Sequence, residues 1–281
     1  MAINPEPSPH KDNPVTWDTV IDDAVSARAN RSWWDSDAED YHLEHDSYLS
    51  SFYWCPEMLH ESTAQLLGNI TQQRVLEIGC GSAPCATWLA AEYPHATVVG
   101  FDLSRRMLKL AATPASPSQG PLLVQADAAS LPFRDAAFDQ AFSVFGAIPF
   151  IADLDNCLNE IRRVLVPGGR FVYAVTHPMR WIFPDDPGPE GLLASTSYFD
   201  RSAYVERDHT GAATYVEHHR TLGDHIRALR STGFILEDLI EPEWPEGLTE
   251  TWGQWSPLRG SIFPGTAIFV ATAPPRSSAA G

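Results

Sequence analysis

The sequence predicts an α/β protein with a doubly wound, mostly parallel sheet of seven strands, preceded by N-terminal helices and interrupted by a β-hairpin. Three observations lead there. From residue 74 onward, short apolar runs alternate with helix-compatible stretches. The first run, RVLEIG, breaks into the turn CGSAP, whose glycines let the backbone reverse and approach a ligand. Asp102 and Asp127 close the next two apolar runs, at the sheet edge where such folds bind ligands.

The elements follow in order. Residues 1–15 are rich in proline and polar residues and read as a disordered arm. Residues 16–69 form a helical cap, helix-compatible from Trp17 to about Leu49, with a further helix from Pro56 through Leu67. Strands are expected at 74–79, 97–102, 122–127, 138–145 and 170–176, with helices at 85–93, 104–112 and 154–165, a loop at 114–121 and a PGG turn at 167–169. Near-continuous apolar strands imply a sheet covered on both faces, so residues 70–176 form the core. The alternation stops at His177. Residues 177–222 read as an inserted lid whose second part is a hairpin around His209, Thr210 and Gly211. Residues 223–273 complete the core with a helix at 224–234 and strands at 235–242 and 266–273, and 274–281 form a flexible tail.

Composition narrows the function. Thirty-six acidic residues against 19 basic ones give a net charge of -17 over 281 residues, a field that repels phosphate backbones and anionic lipid. No nucleic-acid partner and no membrane partner is therefore expected. The longest apolar runs are strand-sized. Four scattered cysteines fit neither a disulfide framework nor a zinc pattern, which points to reduced thiols in a cytoplasmic protein.

VLEIGCGSAP, GFDLSRRML, ADAASLPF with RDAAFD, and RVLVPGGRF resemble the consecutive motifs of class I S-adenosylmethionine-dependent methyltransferases, nearest to the ubiquinone and menaquinone C-methyltransferases. The resemblance implies a Rossmann-like methyltransferase fold, S-adenosylmethionine as cofactor with S-adenosylhomocysteine as product, and a small-molecule acceptor methylated at O, N or C. It also implies that Glu77, Gly79 and Gly81 surround the methionine moiety, Asp102 holds the ribose, Asp127 and Ala128 flank adenine, and Ser143 and Phe145 sit beside the sulfonium. Cys80, Leu103 and Met107, inside the same motifs, complete the expected cofactor set. Tyr41 joins it from WWDSDAEDYHLEH, because family members often fold a tyrosine-bearing leading helix over the cofactor. One departure stands out: Ala83 and Pro84 occupy the end of the glycine motif, against a dinucleotide-type G-x-G-x-x-G turn.

Histidine is the remaining chemical signal. His177 follows the fifth core strand directly, and His219 closes the hairpin, so these two are the candidate general bases for a protonated acceptor. No spacing demands a metal. Trp181, Tyr198, Trp244 and Trp252 are expected as apolar walls of the acceptor pocket. Two other readings share these features: a regulator that binds S-adenosylmethionine without turnover, and an NAD-dependent oxidoreductase. The acceptor and the oligomeric state stay open.

Overall fold

The computed structural model describes residues 13–111 and 120–274. The N-terminal region carries β1 (Val15–Asp18), α1 (Asp23–Glu44), α2 (Asp46–Leu49) and α3 (Glu61–Ala64). The core follows with β2 (Arg74–Ile78), α4 (Pro84–Glu92), β3 (Thr97–Asp102), α5 (Arg105–Ala111), β4 (Leu122–Gln125), β5 (Phe138–Val144), α6 (Leu154–Val164) and β6 (Leu165–Thr176). After the hairpin of β7 (Ala203–Arg207) and β8 (Ala213–Glu217) come α7 (Leu222–Ser231), β9 (Ile235–Ile240), α8 (Pro257–Gly260) and β10 (Thr266–Thr272). All but the last three residues of the expected arm, most of the 114–121 loop and all but the first residue of the tail lie outside the described residues.

The main sheet has seven strands in the order β4-β3-β2-β5-β6-β10-β9. Strands β4, β3, β2, β5 and β6 pair in parallel, whereas β10 is antiparallel to both β6 and β9. The order reverses at β2, which opens a crevice at the carboxyl ends of β2 and β5. Successive side chains on each strand enter opposite apolar layers. Leu76, Phe171, Tyr173, Phe269 and Ala271 join one layer; Val75, Val172, Ala174, Ile268 and Val270 join the other. Both faces are therefore dry, as the unbroken apolar strands require.

Several expected boundaries move. The PGG segment lies inside β6, not in a separate turn; the pairing with β5 shifts register there, and Gly168 takes φ +79°. The helix expected from Pro56 shrinks to Glu61–Ala64. Met58 (φ 58°) and Gln65 (φ 49°) adopt left-handed conformations on either side of it. Glu57 then turns inward and accepts a hydrogen bond from the Thr266 hydroxyl at 2.7 Å.

The helix expected from Trp17 also begins later. Trp17 lies in β1, which pairs with β7 in a separate three-stranded sheet, β1-β7-β8. Asp22 caps α1 by accepting from the Ala24 N–H. α1 packs along β8, where buried Asn30 donates to the Val216 carbonyl and accepts from the Val216 N–H, both at 2.9 Å. Ser26, beside it, shares a hydrogen bond with His218. The hairpin thus works as a splint behind α1.

Candidate functional site

A cavity of about 390 Å³ lies at the carboxyl edge of the main sheet, roofed by α1. Its floor begins with the turn after β2. Gly79 takes φ +65°, and a Cβ there would come within 2.5 Å of the Ala147 nitrogen, so only glycine lets this turn pass the loop after β5. Gly81 takes φ +54°, and a Cβ on it would meet nothing within 4 Å. That space, beside the start of α4, is a cradle into which a ligand can settle. Ala83 ends the turn in the left-handed region (φ 58°) and Pro84 opens α4, so the altered glycine motif forms a helix start without a third glycine.

Acids line the same edge. Asp102 accepts from the Gly81 N–H at 2.8 Å and the Ser104 N–H at 2.7 Å, which ties the β2 turn to the β3 turn and leaves further acceptor capacity. Burial raises its pKa, opposed by those two N–H groups. Glu77 accepts from the Ala86 N–H at 2.9 Å, and burial pushes its carboxyl up to about 8, aided by the charge of Asp102. Asp127 accepts from the Ala129 N–H just beyond β4. Carboxyl groups clustered in a largely apolar cavity suit a ligand bearing hydroxyl and amino groups.

α1 closes the roof with its own acids. Asp35 accepts from the Ser104 hydroxyl and the Arg106 N–H, Glu39 pairs with Arg106, and Asp23 accepts from the Asp153 N–H. Trp34 and Tyr41 line the cavity from above, their rings edge-to-face at 5.3 Å. Burial drives the Tyr41 hydroxyl well above its ordinary pKa, so it stays protonated.

The cavity brings together Tyr41, Glu77, Gly79, Cys80, Gly81, Asp102, Leu103, Met107, Asp127, Ala128 and Phe145. Ser143 is not in its wall. It is fully buried and donates to the Ile78 carbonyl at 2.9 Å, because β5 turns that side chain toward β2. Neither His177 nor His219 lines the cavity, which corrects the expectation of a base there. His177 accepts from the Met179 N–H at Nδ1 and donates from Nε2 to Glu241, so both ring nitrogens are engaged. His219 is buried and donates from Nε2 to the Tyr198 carbonyl at 2.9 Å. Burial lowers the pKa of both.

Trp181, Tyr198, Trp244 and Trp252 also fall outside the cavity wall. Trp181 packs on Trp17 and Tyr204 of the second sheet, and Trp252 on Tyr41, His45 and Tyr48. The walls come instead from Trp34, Phe145 and Phe150, with His42 and Tyr48. A signal for His42 was present: Trp34, Ala38 and His42 succeed one another at intervals of four, on one face of α1. Among the described residues no group of His, Cys, Asp and Glu is placed to hold a metal, and no helix is long and apolar enough to cross a membrane.

This strand order with a carboxyl-edge cavity behind a glycine turn defines the class I methyltransferase fold. Solved structures of S-adenosylmethionine-dependent methyltransferases share it. One from Listeria monocytogenes superposes with a TM-score of 0.59 over 75% of this chain and 96% of its own, at 23% identity. Another, from Mesorhizobium loti, gives 0.59 over 75% and 95% at 24% identity. Residues 76–173 match the family model described as a methyltransferase domain. The demethylmenaquinone methyltransferase of Thermus thermophilus is 36% identical over 46% of this chain and 56% of its own length. The fatty-acid O-methyltransferase of Mycolicibacterium smegmatis is 35% identical over 46% of this chain and 45% of its own. The chain thus spans about half the length of these curated relatives. Residues 76–173 thus resemble a class I S-adenosylmethionine-dependent methyltransferase domain of the ubiquinone/menaquinone type.

Proposed function

We propose that the protein binds S-adenosylmethionine in the cavity under α1 and transfers its methyl group to a small-molecule acceptor. One observation carries this reading: Glu77, the Gly79–Gly81 turn, Asp102 and Asp127 converge on one cavity at consecutive strand ends. The cofactor supplies a methyl carbon already activated by its sulfonium. The chain's task is then alignment and exclusion of water, more than acid–base work. Glu77 and the glycine turn would hold the charged methionine end, Asp102 the ribose hydroxyls, and Asp127 with Ala128 the adenine. Tyr41 and Trp34 on α1 cover the site and shut out solvent. A carboxylate-lined site disfavours a pyrophosphate, and Pro84 stands where a dinucleotide turn needs glycine; both speak against the oxidoreductase reading.

The test is calorimetric titration of the folded protein with S-adenosylmethionine, S-adenosylhomocysteine and NAD. The two sulfur ligands should bind at a single site and NAD should not. Absence of heat beyond dilution for both sulfur ligands, or saturable binding of NAD alone, overturns the reading. Methyl transfer from labelled S-adenosylmethionine to an acceptor separates an enzyme from a regulator that only binds.

A further inference from the structure

Among the described residues, two polar atoms in the cavity wall have no hydrogen-bond partner: His42 Nε2 and the Tyr48 hydroxyl, both buried. The first has a defined character. His42 Nδ1 lies 2.6 Å from the Ala38 carbonyl oxygen. A carbonyl can only accept, so in the neutral ring Nδ1 carries the hydrogen and Nε2 presents a bare lone pair. The contrast with His177 is direct, since there the tautomer is reversed and both nitrogens are engaged. Tyr48 is 9% exposed, and burial raises its pKa well above the ordinary value, so its hydroxyl keeps its proton and can donate. A buried acceptor and a buried donor without partners are costly unless a ligand supplies the complement. Around them the wall is apolar, formed by Trp34, Phe145 and Phe150.

Building on the proposed function, we infer that the acceptor is an apolar molecule bearing a neutral hydroxyl, which donates to His42 Nε2 and accepts from the Tyr48 hydroxyl. A carboxylate offers no hydrogen to a bare lone pair and meets a site already rich in acids, so this wall selects against it. As the hydroxyl oxygen becomes a nucleophile, its proton passes to His42 Nε2 and the O–H electron pair stays on oxygen. The ring becomes an imidazolium whose Nδ1–H still rests on Ala38. His42 is then the base and Tyr48 the orienting donor.

A matched pair of probes tests this: 4-phenylphenol and biphenyl-4-carboxylate, titrated calorimetrically into the full chain at about pH 8, where the phenol is neutral and the carboxylate ionised. Titrations run with and without S-adenosylhomocysteine, so loss of cofactor binding, which would fault the proposed function, is scored separately. The phenol should bind at least about tenfold tighter than the carboxylate. His42→Ala should erase that preference, whereas His42→Gln, which keeps an acceptor oxygen near the Nε2 position, should retain most of it. Nitrogen-15 spectra of histidine-labelled protein should show His42 protonated at Nδ1, with the Nε2 resonance shifting on addition of 4-phenylphenol. Equal or tighter binding of the carboxylate, binding of neither probe, or a His42 ring protonated at Nε2 overturns the inference.

Discussion

The floor and the roof of the cavity are built by different physics. The floor, residues 79–85 with Asp102, is shaped by backbone: left-handed turns, a proline at a helix start, and N–H groups tied to a carboxylate. The roof is a helix whose buried residues are small or polar. They are Ser26, Ala29, Asn30, Asp37 and Ala38, and the helix is held by hydrogen bonds to a second sheet and to α5. A backbone-shaped floor depends on local residue types. A roof hung on side chains depends on partners far away in sequence, such as Val216, 186 positions from Asn30.

That difference lets the two halves be broken separately, the floor giving the largest effect. Gly79→Val should cost at least about 3 kcal/mol of stability and abolish S-adenosylhomocysteine binding. The new Cβ collides with the Ala147 backbone, and a β-branched residue cannot hold φ +65°. Urea denaturation with calorimetry checks this; an intact, binding variant would mean that the turn is not rigid. On the roof, Asn30→Ala should cost about 2 kcal/mol by leaving the buried Val216 N–H and carbonyl without their partner. The loss should be local: amides of β8 and α1 exchange faster, while those of β2 keep their protection. Uniform acceleration would join roof and floor into one cooperative unit.

A smaller effect sharpens the electrostatics of the floor. The Glu77 pKa is raised from 4.5 to about 8 in the folded chain. A raised folded pKa contributes stability that is full below the unfolded value and is lost as pH rises through the folded one. The ligand-free protein should therefore lose about 1 kcal/mol between about pH 7 and 9 from this group. Glu77→Gln should flatten that slope, seen in urea midpoints across the range. An unchanged slope would assign the titration elsewhere.

The same contrast explains what the sequence could reveal. The seven strands, the glycine turn, Asp102 and Asp127 were legible, because apolar runs and turn residues act over a few positions. β1 was not, since its partners are Ala203 to Glu206, and nothing in VTWD distinguishes a strand from a helix start. Nor was the role of the insertion, which supports α1 from behind and places none of Trp181, Tyr198 and His219 in the cavity wall. His177 looked catalytic from its place at a strand end, but its direction depended on Glu241, a contact between segments 64 residues apart. Met58 and Gln65 broke the helix expected after Pro56 with left-handed turns that neither residue type announces.

If one ligand is held between this floor and this roof, its binding must protect both. Hydrogen exchange of the full chain, with and without saturating S-adenosylhomocysteine, tests it most directly. Protection should rise together in residues 79–86, in 102–107 and along α1, with β9 and α7 unchanged. Binding that protects only the floor, or that leaves α1 as exchangeable as before, would contradict it.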